Sequence, residues 1–258
     1  MPVDVTLSAQ RRGSLPVLVP DAIVALGVDA FVTSRAGGVS APPYDSLNLA
    51  DHVGDDPSCV TENRRRVADA AGVAPTHLVT VRQVHGADVV VIDGPASDLD
   101  ADAMVTEDPR VALAVLVADC VPVLVVDPAA PRWALVHAGW RGLAAGVLGR
   151  ALAAFDRPAS LHVLLGPSIS AARYQVGPEV STLFSHVPGA LAPDVGDRSR
   201  LDLRRVATVD LVSRGVRDDQ IYVTREVTDD ADRFFSDRAR RPCGRFALVA
   251  RGPSMRAP

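Results

Sequence analysis

The sequence predicts an α/β fold, a single domain in which helices cover a layered, mixed β-sheet. Eight short valine-rich runs lack the alternation of polar and apolar residues typical of half-exposed strands, so they indicate strands buried on both faces. Three segments with helix-boundary signals are interspersed among them, as in sheets that helices cover. Prolines and glycines are spread evenly, with no linker or repeat. We therefore expect one catalytic domain over residues 1–251 and a disordered tail over residues 252–258.

The predicted strands are four to six residues long, which suits strands better than helices. In chain order they are Val28–Thr33, Leu78–Val81, Val89–Ile92, Ala112–Val117, Val121–Val126, Ala134–His137, Leu161–Leu165 and Phe246–Val249. The order of these strands within a sheet does not follow from the runs themselves.

The predicted helices begin or end at residues typical of helix boundaries: a capping aspartate, a proline at the first helical position, or a glycine after the last turn. They are 57–71, capped by Asp56 and ended by Gly72; 140–155, rich in alanine and leucine and ended near Pro158; and 203–214, capped by Asp202 and ended by Gly215.

Composition and charge narrow the class of protein. Of the 258 residues, 48% are hydrophobic and 22% charged, and the net charge is −4, so no basic surface for nucleic acid or an anionic membrane is indicated. Three cysteines without a close pair argue against disulfides and favour a reducing compartment. No secretory signal or membrane-spanning run is recognisable. We expect a cytoplasmic monomer or small homo-oligomer that binds neither nucleic acid nor membrane.

Three polar clusters lie at the ends of predicted strands, where α/β proteins place their sites: RQVHG, ADCVP and HAGWRG. Their side chains His85, Cys120 and His137 form a His2Cys set, which suits zinc with an open fourth position. Without a metal, Cys120 would instead be a nucleophile activated by a histidine and by the positive charge of Arg141. Residue types and spacing do not separate these two hypotheses.

A polar loop, TSRAGGVS, follows the first predicted strand. Its paired glycines would let the backbone approach a ligand, and Arg35 could take an oxyanion or a carboxylate through its guanidinium fork. In the next segment, YDSLNL, Asn48 could hydrogen-bond a base or a sugar. An ordinary turn with a solvated arginine explains the same pattern, so both interpretations stay open.

Beyond these clusters, ordered sequence blocks run from about residue 30 to residue 250. They are TSRAGGVS, YDSLNLADHVGDDP, VTENR, RQVHGADV, DAMVT, ADCVPVLVVDP, ALVHAGWRGLAAGV, LGPSIS, YQVGPEV and RFFSDRAR. In these blocks and their order the chain resembles the YfiH, or laccase-domain, family. The resemblance implies a YfiH-like, cysteine-hydrolase-like α/β domain with zinc held by His85, Cys120 and His137. It also implies phosphorolysis of adenosine, inosine and methylthioadenosine, with adenosine deamination as a side activity.

The family resemblance also implies two other functions. One is copper-dependent, laccase-like oxidation of phenols, but multicopper oxidases need many histidines and only two of the six here lie in site-like contexts. Copper is therefore the less favoured metal. The other is the correction of peptidoglycan precursors, which would suit the metal-free Cys/His hydrolase considered above. The chain departs from the family pattern at Ala172, Arg173 and Val227, where cysteines are common, and at residues 238–241.

Purine chemistry fits the residues best. A water whose pKa is lowered by zinc can attack C6 of adenine, which would account for deamination. Phosphorolysis needs an anion beside C1′ of the ribose, and Arg35 or Arg141 could hold that anion. The resemblance, with which these residues agree, thus implies a zinc-dependent purine nucleoside phosphorylase whose partners are a nucleoside and phosphate. Its predicted catalytic residues are the three metal ligands and Asp119, in a supporting or proton-transfer role. Arg35, Asn48 and Arg141 are the predicted substrate or phosphate contacts.

Overall fold

A computed structural model describes residues 1–252; apart from Gly252, the predicted tail lies outside the described residues. The strands are β1 (Val3–Val5), β2 (Ser8–Arg12), β3 (Leu15–Val19), β4 (Asp29–Thr33), β5 (Leu78–Val79), β6 (Val89–Ile92), β7 (Ala103–Thr106), β8 (Ala112–Val117), β9 (Val121–Val126), β10 (Trp133–Ala138), β11 (His162–Leu165), β12 (Gln175–Val176), β13 (Leu191–Pro193), β14 (Ser199–Leu201), β15 (Ile221–Thr224) and β16 (Phe246–Arg251). The α-helices are α1 (Asp21–Val24), α2 (Pro57–Ala71), α3 (Trp140–Ala144), α4 (Val147–Leu152), α5 (Pro178–Ser181) and α6 (Leu203–Ser213).

The described strands form two large sheets and one small sheet. The first large sheet has the order β1-β15-β11-β9-β10-β7-β6, and the second has the order β2-β3-β4-β16-β8-β5. Both are mixed. In the first sheet β6 and β7 run parallel and β9 and β10 antiparallel; in the second, β5 and β8 run parallel and β8 and β16 antiparallel. The small sheet has the order β12-β14-β13. The predicted mixed sheet is therefore two stacked mixed sheets.

The two large sheets pack face to face, and helices cover their outer faces. The core between them joins Val115 of the second sheet to Leu124 and Leu135 of the first. Helices α4 and α6 pack on the outer face of the first sheet, and α2 packs on the outer face of the second. Because each central strand sends alternate side chains into two different cores, the predicted strands are apolar on both faces. This layered α/β arrangement is the predicted fold class.

The eight predicted strands occur close to their predicted bounds, but the other eight described strands and the short helices α1 and α5 were not predicted. The predicted helix 140–155 is divided into α3 and α4 because Gly146 adopts a left-handed conformation with φ of 79°. The hairpin of β2 and β3 was not predicted, because β2 is mostly exposed and carries the polar sequence SAQRR. Within residues 1–252, no helix is long and apolar enough to cross a membrane.

Candidate metal centre

Cys120 lies in the short connection that leads from β8 of the second sheet into β9 of the first. Asp119, just before it, has a φ of 94°, which is unusual for a residue with a side chain. Its carboxylate accepts hydrogen bonds from Thr228 Oγ1 at 2.6 Å, Ser236 Oγ at 2.7 Å and the backbone N–H of Arg238 at 2.7 Å. These bonds fix the connection and thereby the position of the thiol.

His137 and His85 are both held by one carboxylate, that of Asp102. His137 is in β10, opposite Pro122 of β9, and its Nδ1 lies 2.8 Å from Asp102 Oδ1. The same carboxylate accepts the backbone N–H groups of His85 at 3.0 Å and of Gly86 at 2.6 Å. Since Nδ1 of His137 is engaged, its Nε2 is left to bind a metal, the usual carboxylate–histidine arrangement of zinc sites.

Asp102 was missed from the sequence, although it begins the DAMVT block. It is 1% exposed and directly precedes β7, the neighbour of the strand that carries His137. A buried carboxylate at the start of a strand, beside another strand that carries a site histidine, is the signal that could have identified it.

The three candidate ligands converge. One ligand atom from each of His85, Cys120 and His137 lies within 4.8 Å of the other two, and the two imidazole rings meet edge to face with centroids 4.7 Å apart. Gly139 makes this convergence possible, because a Cβ there would lie 2.9 Å from Cys120 Sγ and 3.3 Å from His85 Cδ2. Gly139, the first glycine of the HAGWRG cluster, is therefore required because a larger residue would collide with Cys120 and His85.

The electrostatics favour the metal-binding form of the thiol. Burial opposes its ionisation, but the charges and hydrogen bonds of His137 and His85 outweigh burial and lower the pKa of Cys120 to about 6. Burial likewise opposes protonation of His137, and the Cys120 thiolate and Asp102 raise its pKa to about 9. The thiolate is the form that binds metals and that acts as a nucleophile.

The donor set fits a zinc ion. Two imidazoles and a thiolate are borderline-soft ligands, and zinc in catalytic sites keeps three protein ligands and one open position. Here the three side chains all line a cleft of about 1320 Å³, which would leave room for a substrate beside an ion that they hold. The same geometry also serves a Cys–His pair without a metal.

The cleft beside the candidate ligands is rich in arginine. Its walls include Trp140 and Tyr174 and the arginines Arg64, Arg82, Arg141, Arg238, Arg241 and Arg245. Arg141, a predicted substrate contact, lies in this wall with its guanidinium 4.3 Å from the centre of the Trp140 ring. Asp119 also lines the cleft, but its carboxylate is occupied by the three hydrogen bonds described above.

Arg35 and Asn48, the other predicted substrate contacts, lie outside the cleft lining. Arg35 donates to the backbone carbonyls of Asp45 and Ala231 and forms an ion pair with the Asp45 carboxylate at 3.0 Å. Asn48 is fully buried; its amide donates to Ala50 O and the Asp55 carboxylate and accepts two backbone N–H groups. The structure therefore does not bring these two residues together with the candidate ligands.

Gly38, the second of the paired glycines in the TSRAGGVS loop, packs against the protein itself, where the sequence led us to expect that it approaches a ligand. A Cβ at Gly38 would lie 2.1 Å from Ser46 O and 2.5 Å from Asn63 Oδ1, so the loop needs this glycine to pack against its own protein. Asn63, fully buried, donates to Ser40 Oγ, Ser46 O and Asn48 O. We call Arg35, Ser40, Asn48, Asp55 and Asn63 the closed network, since their polar groups bond one another and the nearby backbone.

Comparison with known proteins agrees with this fold and shows the family to which the chain belongs. The family model described as multi-copper polyphenol oxidoreductase laccase matches residues 29–251. The purine nucleoside phosphorylase YfiH of Escherichia coli K12 is 41% identical over 227 residues, which cover 86% of this chain and 92% of that protein. The purine nucleoside phosphorylase Rv2149c of Mycobacterium tuberculosis H37Rv is 39% identical over 233 residues, which cover 88% and 92%.

A solved structure agrees with the sequence comparisons. The crystal structure of YlmD from Geobacillus stearothermophilus matches with a TM-score of 0.89 at 30% identity, covering 96% of this chain and 100% of that one. The family match spans most of the chain, and within it lie His85, Cys120, His137 and the carboxylate that holds both histidines. The chain belongs to the YfiH, or laccase-domain, family.

Proposed function

We propose that this protein is a zinc-dependent purine nucleoside phosphorylase of the cytoplasm, with adenosine deamination as a side activity. The observation that carries the proposal is the compact His2Cys donor set on the wall of a cleft rich in arginine. The activity in the names of the relatives from E. coli and M. tuberculosis supports it. The proposed substrates are adenosine, inosine and methylthioadenosine, each with inorganic phosphate.

Each residue of the centre has a proposed task. His85, Cys120 and His137 hold the metal, which when bound supplies a Lewis acid beside the cleft. Asp102 fixes the Nδ1 proton of His137 and the backbone of the His85 loop. Asp119 positions the thiol; with its carboxylate accepting three hydrogen bonds, we assign it no proton transfer.

In the proposed phosphorolysis, a phosphate oxygen forms a bond to C1′ of the ribose while the bond from C1′ to N9 of the purine breaks. The purine takes up the proton that hydrogen phosphate loses, and the products are the free base and the sugar 1-phosphate, which is ribose 1-phosphate for adenosine and inosine. The negative charge of the phosphate must be held next to the sugar, and Arg141 in the cleft wall provides positive charge there.

Product and metal analyses of the purified protein test this proposal. Adenosine with phosphate should yield adenine and ribose 1-phosphate, and the protein should contain about one zinc per chain, as three convergent ligands imply. Cys120→Ala should lose both the metal and the activity. Cys59→Ala, at a partly exposed cysteine outside the cleft, is the matched control and should keep both. Formation of neither adenine nor inosine from adenosine would refute the purine assignment.

A metal-free Cys/His hydrolase is the second candidate, favoured by the low pKa of Cys120 beside two histidines. It predicts that alkylation of Cys120 abolishes turnover and that chelators have no effect. The zinc proposal predicts loss of activity on chelation and recovery when zinc is returned. The copper-dependent phenol oxidase suggested by the family description predicts copper in the metal analysis and recovery with copper instead.

A further inference from the structure

Arg238 is tied to the candidate metal centre from two sides. Its backbone N–H donates to the carboxylate of Asp119, the residue next to Cys120, at 2.7 Å. Its guanidinium Nη1 donates to the backbone carbonyl of Gln175 at 2.8 Å and lies 5.0 Å from the centre of the Tyr174 ring. The guanidinium is therefore held against the same cleft wall that carries Tyr174, without a carboxylate to neutralise it.

The other cleft arginines differ from Arg238 and Arg141 in their partners. Four of them form ion pairs: Arg64 with Asp51, Arg82 with Asp100, and both Arg241 and Arg245 with Asp237. Neither Arg141 nor Arg238 has a carboxylate within 4.0 Å among the described residues 1–252. Although Arg241 and Arg245 share one carboxylate, Arg141 and Arg238 are the two cleft arginines that have no carboxylate partner in this part of the chain.

Tyr174 adds a hydrogen-bond donor beside the two guanidiniums. Its ring is partly buried against the first-sheet core, and its hydroxyl has no hydrogen-bond partner in the part of the chain that the structure describes. Burial, together with the negative charge of Cys120, raises its pKa to about 12, so the hydroxyl stays protonated at neutral pH. One cleft is thus lined by a phenol O–H and two guanidiniums that have no carboxylate partner, and Arg238 keeps N–H groups beyond the one that it donates to Gln175.

We propose that Arg238, Tyr174 and Arg141 form the phosphate subsite, with Arg238 and the Tyr174 hydroxyl binding oxygens of the same phosphate. The assignment rests on the proposed phosphorylase function. A guanidinium offers parallel N–H donors that match two oxygens of a phosphate, and a neutral phenol donates to a third. Because Asp119 fixes both Cys120 and the backbone of Arg238, the anion is held at a set position relative to the metal centre.

Calorimetric titration of the full-length purified protein with inorganic phosphate alone tests the subsite. Arg238→Gln should weaken phosphate binding about tenfold or more, and Tyr174→Phe several-fold, as expected for a charge-assisted and a neutral hydrogen bond. Arg238→Lys should recover part of the loss, since it restores the charge without the fork. Arg173→Gln is the matched control: it removes the same charge next to Tyr174, outside the cleft, and should bind phosphate as the unaltered protein does.

Measuring phosphorolysis in the same variants distinguishes a failure of the phosphate subsite from a failure of the proposed function. At saturating nucleoside, Arg238→Gln should raise the KM for phosphate with zinc content unchanged. Equal phosphate affinity in Arg238→Gln and Arg173→Gln would overturn the assignment, as would no phosphate binding by the unaltered protein. Phosphate binding lost in Arg238→Gln but without phosphorolysis in any variant would uphold the anion site and refute the phosphorylase. If Arg238→Gln folds poorly, Tyr174→Phe and Arg238→Lys decide the question in the same titration.

Discussion

The closed network and the candidate metal centre look alike in sequence and differ in structure. Each includes polar residues from a glycine-containing segment at the end of a predicted strand, TSRAGGVS for the closed network and HAGWRG for the metal centre. In the closed network, the amide of Asn63 and the guanidinium of Arg35 bond groups of their own protein. At the metal centre, three donor atoms converge beside a cleft whose Arg141 and Tyr174 side chains keep free donors.

The difference shows what separates a structural polar motif from a binding site. Buried polar groups are almost always hydrogen-bonded, so a saturated set stabilises loops and has no donors left for a ligand. A site instead keeps its supporting groups saturated and its reactive groups unpaired. Asp102 and Asp119 are the saturated supports, and the ligands and free cleft donors are the groups they position.

The largest expected effect is on stability, from Arg35→Gln in the closed network. The substitution removes a buried cation and leaves the carbonyls of Asp45 and Ala231 without their donor. It should lower the free energy of unfolding by about 3 kcal/mol, measured by urea denaturation. Arg65→Gln, at a half-exposed arginine paired on the surface of α2, is the control and should change stability by less than about 0.5 kcal/mol.

The folded Arg35→Gln protein should also keep the KM for phosphate within about twofold, because its donors are already occupied. A large rise in that KM with little loss of stability would instead make Arg35 the phosphate contact that the loop pattern suggested.

Asp102→Asn should weaken zinc binding about 10- to 100-fold, the usual effect of losing a carboxylate behind a metal-bound histidine. Asparagine lacks the negative charge and cannot accept from His137 and both backbone N–H groups as the carboxylate does. Competition with a chromogenic chelator measures the affinity. Asp100→Asn, an exposed residue two positions earlier that pairs with Arg82, should leave it unchanged; similar losses in both variants would rule out a positioning role for Asp102.

Gly139→Ala should lower zinc affinity about tenfold, a cost of the size expected for one added methyl in a packed site. Its backbone, with φ of −81° and ψ of 168°, accepts alanine, so the effect comes from the contact with Cys120 Sγ and His85. Gly94→Ala, where an added Cβ meets nothing within 4 Å, is the control. Unchanged zinc affinity in Gly139→Ala would mean that the ligands do not approach as closely as described.

The sequence predicted the parts of the molecule that depend on local pattern. The fully apolar runs predicted the bounds of β8 and β9, and residue type at strand ends, together with the family resemblance, predicted His85, Cys120 and His137, which the structure brings together. It could not predict partners that are distant in the chain. Arg35 bonds the carbonyl of Ala231, 196 positions away, and a loop arginine shows no local sign of such a contact.

The pH dependence of Cys120 alkylation in metal-stripped protein tests whether the two histidines of the metal centre stabilise the thiolate. Because His137 and His85 lower the pKa of Cys120 to about 6, the thiolate is present above pH 6 and is lost as the pH falls below that value. Alkylation of Cys120 by iodoacetamide, followed by mass spectrometry, should therefore rise to half its maximal rate near pH 6. The thiol of Cys243, where burial raises the pKa, should react only at much higher pH. Zinc should protect Cys120 from alkylation over the pH range in which it stays bound. A half-maximal rate near pH 9 in the stripped protein would show that the histidines do not stabilise the thiolate.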